Sequence, residues 1–338
     1  MEKWRVLMSL LGVLIASSLL AGLKGGESQI KAYSWYRYTY EQEDTDTKKN
    51  EFAVKRGYLR WEHQFTDKIK SRVTLDFFSS DKDPHGAGLK LKDTYVDLKY
   101  LIPEGKIKAG LQKTYFGLIY DWDYLTIQKA LEDKEKLVSS RDYGISIGGN
   151  IPNGFGEWNL EIVNGEGYKK TGGDLNTELA YLGNIRIIPI PGITVGASVL
   201  NENAKESPYE KRLPTVGMGR VAYGPIDVWL EYLWTDRGDK DNPTNSQGYM
   251  VMPILKDVLP NLDIIPRYDH WDPNTDEEDD GPTRYILGFN YHFVKASKGK
   301  PGVMLQLNFE RKQKEEEDSK PENQLLAQLR WEFATGAF

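Results

Sequence analysis

Lys55, Arg56, Arg60, Arg72 and Lys108 stand on stretches in which apolar and polar residues alternate, and a period of two puts residues i, i+2 and i+4 on one face of a strand. Five cations gathered on polar faces do no covalent chemistry. They attract and sort anions, through a shared field and charge-assisted N–H donors. A second set, Asp121, Asp123, Glu132 and Arg141, lies in or just after one long irregular stretch from Leu118 to Ser140 and would hold acids opposite those cations.

Catalytic and metal readings find little support. His63, His85, His270 and His292 are scattered, and no strand register read from the sequence sets one beside a serine nucleophile. No cysteine occurs in 338 residues, which excludes disulfides, thiolate metal sites and lipid attachment at Cys. Asp272, Asn274 and Asp276 alternate like calcium-loop ligands, but Glu277 stands where that loop needs Gly and Thr283 where it needs Glu. The acidic run from Asp272 to Asp280, like Glu315 to Asp318, fits an exposed loop bridged to lipopolysaccharide by divalent cations. No enzyme activity, cofactor or resident metal is expected.

The elements that position these residues are short strands. Cut at its turn residues, the chain gives sixteen alternating stretches whose gaps run long, short, long, short. Glu41 to Asn50, Ser79 to Lys90 and Thr235 to Gln247 are long; Thr66 to Lys68, Pro152 to Gly154 and Pro189 to Gly192 are tight. This rhythm predicts an all-β fold, a transmembrane antiparallel barrel with periplasmic turns on one rim and extracellular loops on the other. An even strand number returns both termini to the periplasmic side. Sixteen satisfies this, and fourteen stays open because Thr215 to Lys256 is irregular and carries Pro253. Tyr36, Tyr38 and Tyr40 would face lipid against Arg37 and Thr39, and Val228, Leu230, Tyr232 and Trp234 against Asp227 and Glu231. Trp35, Trp61, Trp158, Trp234, Trp271 and Trp331 read as aromatic girdles at the headgroups. The stretch after Leu118, with a helical pattern between Trp122 and Leu137, is long enough to fold into the lumen and set the bore.

Lys3 and Arg5 precede an apolar run from Val6 to Leu20 that ends in small residues, so residues 1–21 read as a secretory signal and 22–338 as the barrel. The run falls short of the roughly 20 apolar residues a spanning helix needs. A mean hydropathy of −0.57 is compatible with a barrel, since every second strand residue faces water. Without the signal the balance is 42 basic against 49 acidic residues, from 44 against 50 less Lys3, Arg5 and Glu2, which argues against a nucleic-acid partner.

Several motifs occur in a telling order: Lys55-Arg56 within Phe52 to Leu59, Asp93 to Asp97, Ala109 to Lys113 leading to Phe116-Gly117-Leu118, Ala130-Leu131, Arg141 to Gly144, Asn164-Gly165, Pro266 to Asp269, and Arg284 to Tyr291. In this order they resemble the phosphate-selective porin O and P family of outer-membrane porins. The resemblance implies a sixteen-stranded homotrimer with its third loop inside, in the outer membrane of a Gram-negative bacterium. The third loop here reads Ile119-Tyr120-Asp121-Trp122-Asp123, which is acidic.

Parity places basic residues inward mostly on the first five strands (Lys31, Arg37, Arg56, Arg60, Lys70, Arg72, Lys99, Lys106 and Lys108), and acids inward on the later ones (Asp142, Glu161, Glu178, Asp227, Glu231, Asp263, Asp269, Glu310 and Glu332). A bulge is expected near Lys55. The expected function is a water-filled channel for small hydrophilic solutes and ions, with mild anion preference and a field across the lumen between the basic wall and Asp121, Asp123 and Glu132. A phosphate or polyphosphate channel with a saturable site near Lys55, Arg56 and Arg60 is the alternative. A barrel adhesin or structural anchor would want longer loops.

Overall fold

A computed structural model of the chain describes residues 23–100, 102–120, 122, 125–170, 172, 178–203, 211–238, 243–278, 280–296, 302–315 and 319–338. The expected signal segment and the acids Asp121 and Asp123 lie outside the described residues. The strands are β1 (Ser28–Glu43), β2 (Asp46–Thr66), β3 (Ile69–Ser79), β4 (Ala87–Leu98), β5 (Gly105–Lys113), β6 (Arg141–Ile151), β7 (Gly156–Val163), β8 (Ala180–Ile190) and β9 (Ile193–Asn203). β10 has two parts, Lys211–Arg212 and Thr215–Tyr223; then follow β11 (Ile226–Gly238), β12 (Pro243–Leu259), β13 (Leu262–Asp272), β14 (Pro282–Val294), β15 (Gly302–Lys314) and β16 (Glu322–Ala334). The two parts of β10 share one register against β9 and β11, so Pro214 interrupts a single strand that lacks one N–H donor.

Each strand pairs antiparallel with its sequence neighbours, and β1 closes on β16 from Lys31 opposite Ala334 to Glu43 opposite Glu322. The result is a closed sixteen-stranded barrel, which leaves no unpaired edge. The C-terminal extension continues the seam: Thr335 N–H donates to the Ile30 carbonyl at 2.9 Å, and Ser28 and Phe338 exchange backbone bonds of 2.7 and 3.0 Å. Pro253 faces Val228 on β11, while the ladder of β12 to β13 is interrupted between Val251 and Leu255 without loss of register.

The outer face is apolar, with Phe52, Trp61, Leu160, Tyr181, Trp234, Tyr285 and Phe309 exposed, and the inner face is ionic, with Glu62, Asp76, Asp93, Glu161, Asp227 and Arg267 buried. Such an inversion is stable only where the surroundings are hydrocarbon and the lumen is wet. Two tryptophans expected in the girdles are inside. Trp35 and Trp271 share the inward parity of Arg37 and Asp269, and both are buried. Their aromatic identity said nothing about which side of the wall they take.

The expected long gap from Glu41 to Asn50 is instead paired strand, with Gln42 opposite Thr47 and Glu43 opposite Asp46. The turn is Asp44-Thr45, Asp44 taking φ 54°. Above the bilayer both faces of a strand are polar, so alternation ends before the strand does.

Candidate pore and constriction

The connection between β5 and β6, Thr114 to Ser140, lies inside the barrel. Its helix is the single turn α1 (Leu131–Lys134), shorter than the pattern from Trp122 to Leu137 suggested. Phe116, Leu118, Ile119, Trp122, Ala130, Leu131, Leu137 and Val138 pack against inward apolar residues of β8 to β13, among them Leu182, Leu200, Val216, Leu233, Met250, Ile254 and Ile265. Each Val, Leu, Ile, Met or Phe side chain among them gains about 1.5 to 3 kcal/mol by leaving water.

Polar side chains of the barrel then hold the loop backbone. The N–H of Tyr115 donates to Glu161 at 2.6 Å, that of Gly117 to Ser198 Oγ at 3.1 Å, and that of Leu118 to Glu231 at 2.7 Å. Arg186 donates to the Gly117 carbonyl at 2.7 Å. Asn290 donates to the Leu125 carbonyl and Asn308 to the side-chain Oε1 of Gln128, both at 2.9 Å. Loop three therefore fills the side of the lumen made by β8 to β13 and leaves the side made by β1 to β5 and β16 lined by ionic and aromatic groups.

On that open side three carboxylates answer seven cations. Glu62 meets Lys31 at 3.0 Å, Lys70 at 3.2 Å and Arg72 at 2.8 Å; Asp76 meets Arg56 at 3.8 Å and Lys90 at 3.3 Å; Asp93 meets Arg60 at 3.9 Å and Arg141 at 2.7 Å. Within these clusters of described residues seven cations stand against three carboxylates, while Lys106 with Asp97 at 3.9 Å and Arg330 with Glu332 at 3.3 Å pair one to one beside them. Lys92 adds another cation, 3.2 Å from the Tyr168 hydroxyl. Lys108 donates to the Tyr115 hydroxyl at 3.1 Å, beneath loop three. The far wall is closer to balance: Arg267 pairs with Asp269 at 2.7 Å, Arg186 with Glu157 at 3.3 Å, and Asp227 meets both Arg220 and Lys256.

Of the expected basic wall, Arg56, Arg60 and Arg72 are brought together, and Lys108 lies farther toward the turn-bearing rim. Lys55 is the bulged residue that β1 skips, since Trp35 faces Arg56 and Tyr36 faces Val54, and its ammonium is held by Glu51 at 2.8 Å. Arg141 joins the basic wall through Asp93. Glu132 does not face that wall. It is buried in α1 with its Oε1 accepting the Ile119 N–H at 2.9 Å, within hydrogen-bonding reach of Glu231, because the apolar face of the loop turns it toward β11. Burial pushes its carboxyl up to about 7. Asp133, next to it, lines the lumen instead.

Lys92 was missed because β4 carries a second bulge: Thr74 faces Asp93 and Leu75 faces Leu91, so Lys92 is skipped and both it and Asp93 are buried inside. Strict parity from Asp93 would put Lys90 and Lys92 in lipid, a cost of about 2 to 4 kcal/mol each near the midplane, and that conflict was the available signal. One expectation about histidine also needs correction. Ser28 Oγ lies 2.8 Å from His63 Nδ1 across the β1–β2 register, but none of the described carboxylates pairs with that imidazole, so the contact is a staple at the seam. Asp272 and Asn274 accept backbone N–H groups of their own loop at 3.1 and 3.2 Å.

Two cavities border loop three. One of about 180 Å³ separates loop three from β1, β2 and β16; another of about 740 Å³ opens toward the rim that carries the termini, lined by Lys99, Lys106, Tyr115, Tyr120 and Asn184. A closed barrel with a lipid-facing belt, a charged lumen and an inserted third loop has the architecture of outer-membrane porins. No protein-family model matches the chain, and no curated protein sequence matches it. Its fold is similar to OmpF of Salmonella typhi in complex with daunomycin (TM-score 0.67, 11% identity, 91% of this chain and 98% of that chain). It is also similar to the outer membrane channel DcaP of Acinetobacter baumannii (0.65, 12%, 93% and 100%) and to an anion-selective porin from Comamonas acidovorans (0.62, 13%, 91% and 100%). At these identities the likeness establishes the fold.

Proposed function

We propose that this chain is a passive outer-membrane porin that lets small hydrophilic solutes and ions diffuse down their gradients, with mild preference for anions. The observation that carries the reading is the open wall, where three carboxylates answer seven cations. A cationic excess beside a low-dielectric wall raises the local anion concentration without a deep binding well, which suits fast diffusion. Export by the N-terminal segment, contact with lipopolysaccharide and assembly as a homotrimer belong to the same reading. A reversal potential measured across a potassium chloride gradient in a planar bilayer tests it: chloride preference is expected, and cation preference or no conductance refutes it.

The second reading is a phosphate or polyphosphate channel of the phosphate-selective porin kind, favoured by Arg56 and Arg60 standing on one inward face two pairs apart. It predicts a saturable, phosphate-blocked chloride current.

A further inference from the structure

We propose that the constriction is a selectivity site for single-ring carboxylates, planar organic anions that lay their ring on Tyr33, Trp35 or Tyr58 while Arg60 or Arg141 takes the carboxylate. The proposal rests on the passive anion-channel reading and names the solute class of the same lumen. The cavity of about 180 Å³ beside loop three has one cationic, aromatic side and a loop side formed by Ile119, Trp122 and Ala130 together with Asp133 and Ser140. A dry cavity of roughly 150 Å³ is known to take a benzene ring, so one ring with its carboxyl group fits this space.

The rings on the wall form a connected surface. Tyr58 meets Tyr33 edge-on at 6.3 Å and Trp35 at 5.9 Å between centroids. Guanidinium groups lie over the same rings: Arg60 at 5.3 Å from Tyr33, Arg56 at 5.2 Å from Trp35, and Arg330 at 5.9 Å from Trp35. A guanidinium that grips a carboxylate with its fork lies coplanar with it, and conjugation keeps a ring carboxylate flat. An anion held this way extends its own ring alongside the rings already there. Arg60 and Arg141 share the single carboxylate of Asp93, which leaves positive charge for a second one.

The same surroundings disfavour compact anions. A phosphate would find donors in the slot, from Arg60, Arg141 and Ser140, but its charge would also meet Asp133 and the electronegative ring faces, and part of its water shell would be shed against Ile119, Trp122 and Ala130. A ring carboxylate sheds water from its apolar body, where the loss is favourable.

The test compares chloride conductance of the purified full-length protein in planar bilayers as benzoate, cyclohexanecarboxylate, acetate or inorganic phosphate is added. Benzoate is expected to halve the conductance at roughly a tenth of the acetate or phosphate concentration, with cyclohexanecarboxylate between them. Trp35→Leu, and separately the more accessible Tyr33→Leu, should raise the benzoate concentration relative to acetate measured on the same variant. Equal block by acetate and benzoate, or stronger block by phosphate, in a channel that still prefers chloride overturns the ring site alone. Cation preference or absent conductance overturns the anion-channel reading and the site with it. The comparison of four anions on the unmodified protein requires no variant to fold.

Discussion

Glu132 and Glu231 form a buried acid pair at the seat of loop three, and replacing Glu132 by Gln should weaken the dependence of that seat on pH. Each carboxyl accepts a loop N–H, from Ile119 and Leu118, and the second oxygen of each is buried with no donor bonded to it. The nearest charged neighbours do not relieve them: Arg267 is committed to Asp269 at 2.7 Å, and Asp133 is acidic. Burial raises the Glu132 carboxyl from its ordinary 4.5 to about 7. In that window the docked loop holds a proton that a released loop gives up, so docking is strongest below the ordinary value and weakens as pH rises toward the raised one. Taken for Glu132 alone the shift corresponds to about 3 kcal/mol, or a few hundredfold in loop opening. Hydrogen exchange of the backbone between Tyr115 and Tyr120, corrected for the intrinsic pH dependence of exchange, measures it. Protection should fall from pH 5 to pH 7 and then level off. In Glu132→Gln the amide still accepts from Ile119 and donates to Glu231, and the slope should become much shallower, since only Glu231 is left to titrate at the seat. A variant with the wild-type slope, or a wild type whose protection rises with pH, would refute the shared-proton seat.

Gly117→Ala should loosen the same seat, because an added Cβ would come 2.7 Å from Glu132 Oε1 and 2.9 Å from Glu231 Oε1 at a φ of 49°; larger and noisier single-channel conductance is the expected readout. Asp93→Asn removes the carboxylate shared by Arg60 and Arg141, and should cost about 3 kcal/mol in stability, read from the urea midpoint of unfolding in detergent, while increasing chloride preference. Arg56→Gln combined with Arg60→Gln should move the reversal potential toward cations, with the difference fading near 1 M salt, where the screening length falls to about 3 Å.

The barrel was legible because lipid enforces alternation: Tyr36 to Tyr40 and Val228 to Trp234 keep strict parity, and the wall between them could be read by counting. Three features were hidden. Strand extensions above the bilayer, such as Lys49 to Glu51 paired with β1, carry no apolar face and read as loop. The tryptophans Trp35 and Trp271 are equally at home outside or inside, and only their parity with Arg37 and Asp269 decided. Parity itself changes at a bulge. The one at Lys55 could be anticipated from Phe52, Val54 and Gly57, whereas the one at Lys92 was overlooked. These two bulges help to build the site. Each inserts a residue in the open wall, turning Arg56 inward after Lys55 and setting Lys92 beside Asp93, so the break in pattern is also where cations crowd.

The inward apolar residues of β8 to β13 are what decide which half of the lumen conducts. Leu182, Leu200, Val216, Leu233, Met250, Met252, Ile254 and Ile265 stand at positions that would face water in an empty barrel, and β12 consequently reads as apolar on both faces. Such positions are tolerable only under a cover. The cover is the apolar stripe of loop three, Phe116 to Ile119 with Leu131, Leu137 and Val138, and the two surfaces are complementary in the sequence before any distance is known. The acidity of the loop drew attention to a field across the pore, yet its one acid described in the seat, Glu132, faces away from the basic wall because hydrophobic packing sets the orientation of the loop. Once one half of the lumen is filled by carbon, solutes must pass the remaining half, where Arg56, Arg60, Arg141 and Arg330 stand among Tyr33, Trp35 and Tyr58.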